Sequence, residues 1–270
     1  MSRLHARQEV ARLAAVLGID QADLTDLLDQ PADAIAALRR GIAEHLFDRH
    51  RRTFRRIGKL AGSVPAPLAG RIAQSALGPV VSARAAATMD PPVAVKLAGS
   101  LPAAFLAELS VQLDPHRAKP IIASLPDDQL LEVSALLLAR GEHMAMSRFL
   151  PVISTEIAMK VIEAADRRVI LEIANLAEDD AAIERILERL PVSDDVELAA
   201  AVTDEEAALD ALSLAARVSP ANGARVLRAG VGNPEVCRIV ASVVEKFGLE
   251  PELKAPLALL DDVERRALLR

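Results

Sequence analysis

The apolar residues Ile35, Leu38, Ile42, Leu46, Phe54 and Ile57 recur at intervals of three, four or eight, which places them on one stripe of a helix. Asp29 is placed to cap that helix, with Pro31 in its first turn. The pattern predicts a long N-terminal amphipathic helix from residue 31 to about 58, with Gly41 tolerated inside it. Upstream, residues 3–17 read as a helix, and Asp20 caps a short one over 21–29. Downstream, GKLAGSVPAPLAG at 58–70 combines glycines, prolines and small side chains and reads as a linker, followed by a helix over 67–77.

The next stretch repeats itself. MDPPVAVKLAGSLPAAFLAELSVQ, residues 89–112, aligns without a gap on LDPHRAKPIIASLPDDQLLEVSAL, residues 113–136. Asp90-Pro91 falls on Asp114-Pro115, Ser100-Leu101-Pro102 on Ser124-Leu125-Pro126, and Glu108 on Glu132. An Asp or Ser before Pro caps a helix and sets Pro where its missing N–H costs nothing. Each repeat of about 24 residues therefore starts two short helices. Looser copies follow at Leu150-Pro151 and at Asp166 with Asn175-Leu176-Ala177. A single pair of such helices cannot bury its own apolar face, so the units must stack. The expected fold is all-α, a right-handed superhelix or solenoid. After Pro191 the regularity fades into five expected helices, 194–201, 203–218, 220–230, 233–247 and 250–269, which read as a cap. The expected domains are an N-terminal region 1–62, a repeat domain 63–190 and a C-terminal capping region 191–270.

At these repeats the chain resembles the N-terminal domain of MgtE-type magnesium transporters and, more distantly, the helical repeats of the flagellar switch protein FliG. The likeness covers roughly residues 80–190 and rests on MDPPVAVKLAGSLPAAFLAEL and LDPHRAKPIIASLPDDQLLEV. It implies a superhelix of short helices. In the transporters this domain precedes paired CBS domains and a membrane channel, and neither is found in these residues. Ion transport and individual metal ligands are therefore not carried over. What the resemblance implies is a surface for docking.

Composition narrows the function. Trp and Tyr are absent and Phe occurs five times, which removes aromatic stacking as a way to hold bases or flavins. The single cysteine, Cys237, excludes an internal disulfide and suggests a reducing compartment, with the cytoplasm as the default. Gln8, Glu9 and Arg12 interrupt any apolar signal segment, and no run is long enough to span a bilayer. Charge is uneven: residues 1–88 hold 13 Lys+Arg against 8 Asp+Glu, whereas residues 89–270 hold 19 against 30.

No catalytic or metal constellation stands out. His5, His45, His50, His116 and His143 make no helical metal pair, and His50 reads as a stripe or interface residue. Cys237 reads as a buried structural thiol. Gly230 and Gly232 read as a helix end before a Pro-started helix rather than a phosphate loop. The acidic clusters at Asp127-Asp128, Glu178-Asp179-Asp180, Asp194-Asp195 and Asp204-Glu205-Glu206 read as first helical turns, where carboxylates complement the macrodipole. A helix-turn-helix over residues 10–30 is rejected, because Asp23, Asp26 and Asp29 in its second helix would repel phosphate.

The basic helix is the sharpest functional signal. Between residues 39 and 59 lie eight Lys/Arg and two acids, Glu44 and Asp48, a net of +6. Arg49, Arg51, Arg52, Arg55, Arg56 and Lys59 are the candidate partner-binding residues. The protein's own acidic half, a partner protein and an anionic membrane surface compete for this face, while nucleic acid is disfavoured. The expectation is a non-enzymatic scaffold or regulatory adaptor without cofactors, docking a protein partner and compatible with peripheral membrane association or a homo-oligomer. The alternative is a small-molecule or lipid-binding regulator whose apolar cavity is lined around Met144, Met146 and Met159.

Overall fold

The computed structural model describes residues 3–48 and 51–269. Among the described residues the chain is all helical, with 19 α-helices and no strand. It divides into two compact units, an inner unit Ala37–Val161 and a split unit made of Met1–Ala36 and Ile162–Arg270. These boundaries differ from the 62/63 and 190/191 divisions expected from sequence, because α1 (Arg3–Leu17) belongs with the C-terminal helices. No described helix is long and apolar enough to cross a membrane.

Two helices cover most of the region expected to be one long helix, α2 (Ala32–Asp48) and α3 (Arg51–Gly62). The inner unit then runs through α4 (Ala66–Ile72), a π-helical turn Ala73–Leu77, α5 (Gly78–Ala86), α6 (Pro91–Ala98) and α7 (Ala103–Gln112). It continues with α8 (Pro115–Ile122), α9 (Asp127–Ala139), α10 (His143–Phe149) and the start of α11 (Thr155–Ala164). Helices α3, α5, α7 and α9 pack in succession as one layer, and α4, α6 and α8 as a second. A helix that meets its second neighbour in the chain is the geometry a two-helix repeat dictates.

Of the caps predicted in the two strong copies only Asp114 acts through its side chain: Asp90 stands at the N-cap of α6 without a side-chain bond, and Ser100 and Ser124 donate back to the carbonyls of Leu97 and Pro120, leaving Pro102 and Pro126 at the N-caps of α7 and α9. Asp114 accepts from the amides of His116 and Arg117, and proline occupies the first turn of α6 and of α8. Ser100 and Leu101 end the turn after α6, from which α7 starts at Pro102. Between the layers Leu109, Leu113, Ala118, Ile122 and Val152 form one buried cluster, and Ala73, Ala98, Leu101 and Leu106 another. Burying each such Leu or Ile contributes about 2 kcal/mol. Alanines at Ala83, Ala98 and Ala118 let the helices approach closely.

The stretch at 58–70 is largely helical rather than a linker. Helix α3 continues to Gly62, and only residues 63–65 separate it from α4. Helices α4 and α5 start 25 residues before α6 and α7, so they form a further copy of the repeat in front of the two strong ones.

The split unit holds α1, a 3-10 helix Gln21–Asp29, then α12 (Arg167–Leu176), α13 (Asp180–Arg189), α14 (Val192–Ala200) and α15 (Glu205–Arg217). It ends with α16 (Pro220–Gly230), α17 (Pro234–Phe247), α18 (Lys254–Leu257) and α19 (Asp262–Leu268). The last two replace the single helix expected over 250–269, with a turn at 258–261 in which Asp261 makes a capping box with Glu264. The second-neighbour pattern persists here, through α12, α14, α16 and α18 and through α15, α17 and α19. Repeat packing thus extends beyond the point where the sequence pattern fades. Helix α15 is the centre: Ala207, Ala208, Leu209, Leu212, Leu214 and Ala215 are all buried. At Gly223 of α16 a Cβ would sit 2.3 Å from the Ala215 carbonyl oxygen, so only glycine permits that crossing.

Arginines close the helix ends of the split unit. Arg217 donates to the carbonyls of Asn175 and Ala177 at 2.9 and 2.6 Å and to Asp180 at 2.9 Å. Arg225 donates to the carbonyl of Leu187 at 2.6 Å and pairs with both oxygens of Asp195. Arg265 repeats the device on the carbonyls of Leu257 and Leu260. Each guanidinium donates to carbonyls at or just beyond a helix end, where the intrahelical ladder runs out, and it opposes the negative end of the dipole. The acidic clusters do sit at helix starts as expected, and Asp180, Asp194, Asp195, Asp204 and Glu205 also each pair with a cation from another helix.

Candidate docking face

Helix α3 is held by one side. Phe54 and Gly58 are buried, and Arg84 of α5 lies 5.9 Å above the Phe54 ring. A Cβ at Gly58 would lie 3.1 Å from the Met89 side chain and 3.3 Å from Thr88, and one at Gly62 would lie 3.2 Å from Val93. These two small positions let α3 settle against the end of α5 and the start of α6. Its polar side is thereby fixed in direction.

That side is cationic. Arg51, Arg52, Arg55, Arg56 and Lys59 are all exposed. At about 100° per residue they occupy an arc of roughly 140°, with Arg56 opposite the buried Phe54 and Gly58, Arg52 and Lys59 beside it, and Arg51 and Arg55 nearer the packed side. Within the inner unit none of the five is ion-paired with a described carboxylate. Guanidinium groups keep their charge at any physiological pH, so the field of this face is permanent. Arg49 and His50 lie outside the described residues. Of the other cations expected on the polar faces, Arg40 is exposed, whereas Arg39 is buried.

The inner unit as a whole is basic, with 16 Lys+Arg against 10 Asp+Glu, a net of +6. The split unit carries 16 against 28, a net of −12. Dividing the chain by its packing separates the charges more sharply than dividing it by position.

The split unit contains a second polar centre that sequence reading missed. Gln8 donates to Asn175 at 2.6 Å and also contacts Ser213, and Asn175 donates to Asp210 at 2.8 Å. All four side chains are buried, and the Arg7 guanidinium lies 3.8 Å from Asp210. Burial raises the Asp210 carboxyl to about 7, against the lowering pull of Arg7 and Arg168. Nearby, buried Arg12 pairs with Glu9 and donates to the carbonyls of Leu176 and Ala177 at the end of α12. Burial and the neighbouring Arg217 hold the Arg12 pKa below the usual arginine value. These groups anchor α1 on α12 and α15. These partners all lie within the unit.

The remaining candidates are structural. Cys237 is buried in α17 with its thiol 3.5 Å from the Gly230 carbonyl, and burial pushes the thiol pKa up. Gly230 ends α16, and Asn233 caps α17 by accepting from Glu235 and Val236. Among the described residues no group of three or more His, Cys, Asp or Glu gathers as metal ligands would. A cavity in the split unit, between Leu171, Leu187, Leu212, Val226, Val240 and Leu268, measures about 40 Å³. That is well below the ~150 Å³ that admits benzene. Met144, Met146 and Met159 do not line it, and Met146 is buried as core. Comparison with protein-family models, with characterised proteins and with solved structures gives no match.

Proposed function

We propose that this protein is a non-enzymatic interaction scaffold that docks an anionic partner through the basic face of α3. The observation that carries this reading is the set of five exposed cations, none ion-paired with a described carboxylate of their own unit and set on a helix that packs through Phe54 and Gly58. Concentrating like charge on one fixed face costs self-repulsion and leaves a positive potential that steers and selects an oppositely charged surface. The stacked helices supply the rigid body that presents it. The likeness of residues 80–190 to the transporter domain agrees with a docking role, and we read it as one of architecture alone.

The test is charge reversal. A variant with Arg51, Arg52, Arg55 and Arg56 all changed to Glu is expected to lose partner capture from native-host extracts while keeping its helical circular dichroism. Unaltered capture by that variant overturns the proposal.

A further inference from the structure

We infer that the partner of this face is an anionic lipid bilayer surface, met by the first rung of the inner stack; the inference rests on the docking role proposed for α3. Helix α3 packs on α5, and α4 packs on α6, so α3 and α4 begin their two layers. In a two-layer stack, the sides of the first two helices turned away from the second rung share one end of the array. On α3 that side carries Arg52, Arg56, Lys59 and Leu60. On α4, where Ala69, Gly70 and Ala73 face the stack, it carries Leu68, Arg71 and Ile72.

The terminal rung of a repeat array ordinarily turns a polar surface to water. Here it turns aliphatic side chains: Leu60 is 69% exposed, Leu68 45%, Ile72 42%, and Val64 between the helices 37%. Cations interleaved with exposed aliphatics make the pattern of a surface that lies on a membrane, with charges at the headgroups and apolar tips at the acyl boundary. The sequence around it contains no counter-charge. From Arg49 to Met89 there are eight Lys/Arg and no Asp or Glu. Protein interfaces anchor on Tyr and Trp as well as Arg, and the chain supplies only Arg of these three, while a nucleic acid would need stacking aromatics. A bilayer requires neither, because it offers diffuse negative charge and an apolar layer without directional partners.

The full chain is to be floated with vesicles of phosphatidylcholine alone and with phosphatidylglycerol added, at low and high salt. Binding is expected only with phosphatidylglycerol and is weakened by salt. Arg52→Gln/Arg56→Gln/Lys59→Gln should lower the partition coefficient roughly 100-fold, at about fivefold per cation. Leu60→Ser/Leu68→Ser/Ile72→Ser should abolish the binding that survives high salt. Circular dichroism of each variant checks folding, and the exposed positions give no reason for it to fail. Equal binding to neutral vesicles, no binding to either, or wild-type partition by the triple Gln variant overturns the inference. If vesicles are not bound but charge reversal still removes a captured partner, the lipid assignment falls and the docking role stands. If both readouts are unaffected, both fall.

Discussion

Replacing Asp210 by Asn is expected to abolish most of a pH dependence that the buried polar centre imposes on stability. Asp210 is 4% exposed and has its carboxyl raised to about 7, chiefly by burial, whereas an unfolded aspartate titrates near about 3.9. Between those values the folded protein holds a proton that the unfolded chain has released. Its stabilising effect is fully present below about pH 4 and is lost as pH rises through about 7. A gap of about three pH units at about 1.4 kcal/mol per unit corresponds to roughly 4 kcal/mol across the window, an upper value because Arg7 can relax toward the ionised group. The introduced carboxamide keeps an acceptor for the Asn175 side chain and carries no charge. The assay is urea unfolding of both proteins between about pH 5 and about pH 8.5, with the difference between them isolating this one group. Wild type should lose stability relative to Asp210→Asn as pH rises, and the variant should be the more stable above about pH 8. Parallel curves for the two proteins would refute the assignment.

Other outcomes follow from the packing. Gly223→Ala drives a methyl into the Ala215 carbonyl and should cost about 3 kcal/mol or more, read as a lowered urea midpoint. Arg12→Ala leaves buried Glu9 without that partner and uncaps the end of α12, for an expected loss of about 3 to 5 kcal/mol in the same assay. Leu212→Ala at the centre of α15 should cost about 2 to 5 kcal/mol. By contrast, the fourfold reversal at Arg51, Arg52, Arg55 and Arg56 should change stability by only about 0.5 kcal/mol per site or less, because none of these side chains is buried. A large drop in its thermal midpoint would show that the basic face is structural.

Much of this architecture is legible in the chain because proline and its capping partners mark helix starts locally. The Asp-Pro and Ser-Leu-Pro pairs of residues 89–136 locate four helices within a few residues. Where the proline lacks an Asp or Ser before it, the repeat is harder to see. Helices α4 and α5 begin at Pro65 and Gly78-Pro79, and the small residues around them look like a linker although they pack as another copy. The turn that divides α18 from α19 is hidden for a related reason, since apolar periodicity alone does not reveal a cap such as Asp261.

The candidate face divides along the same line. Cation spacing on α3 is a one-helix property that the sequence displays directly. That α4 brings Leu68 and Ile72 to the same end depends on stacking between helices. The absence of any carboxylate from Arg49 to Met89 is the available signal for a surface larger than one helix. The buried centre at Asp210 leaves no such signal. Gln8, Asn175, Asp210 and Ser213 are ordinary polar residues until folding brings together positions as many as 205 residues apart.

That separation governs the order in which the chain can be built. Of these helices α1 leaves the ribosome first, and the 3-10 helix Gln21–Asp29 that packs on it follows at once, yet the groups that satisfy Gln8 and Arg12 belong to α12, the residue after it and α15. At about 5 to 20 residues per second, roughly 10 to 40 s of synthesis pass before those groups exist. The inner unit is complete by Val161 and has its own core, so it can close during that interval. The split unit can close only late in translation, once α1 meets α12 and α15. A nascent chain stalled before α15 would therefore carry a finished inner unit and an N-terminal helix whose Gln8 still lacks Ser213.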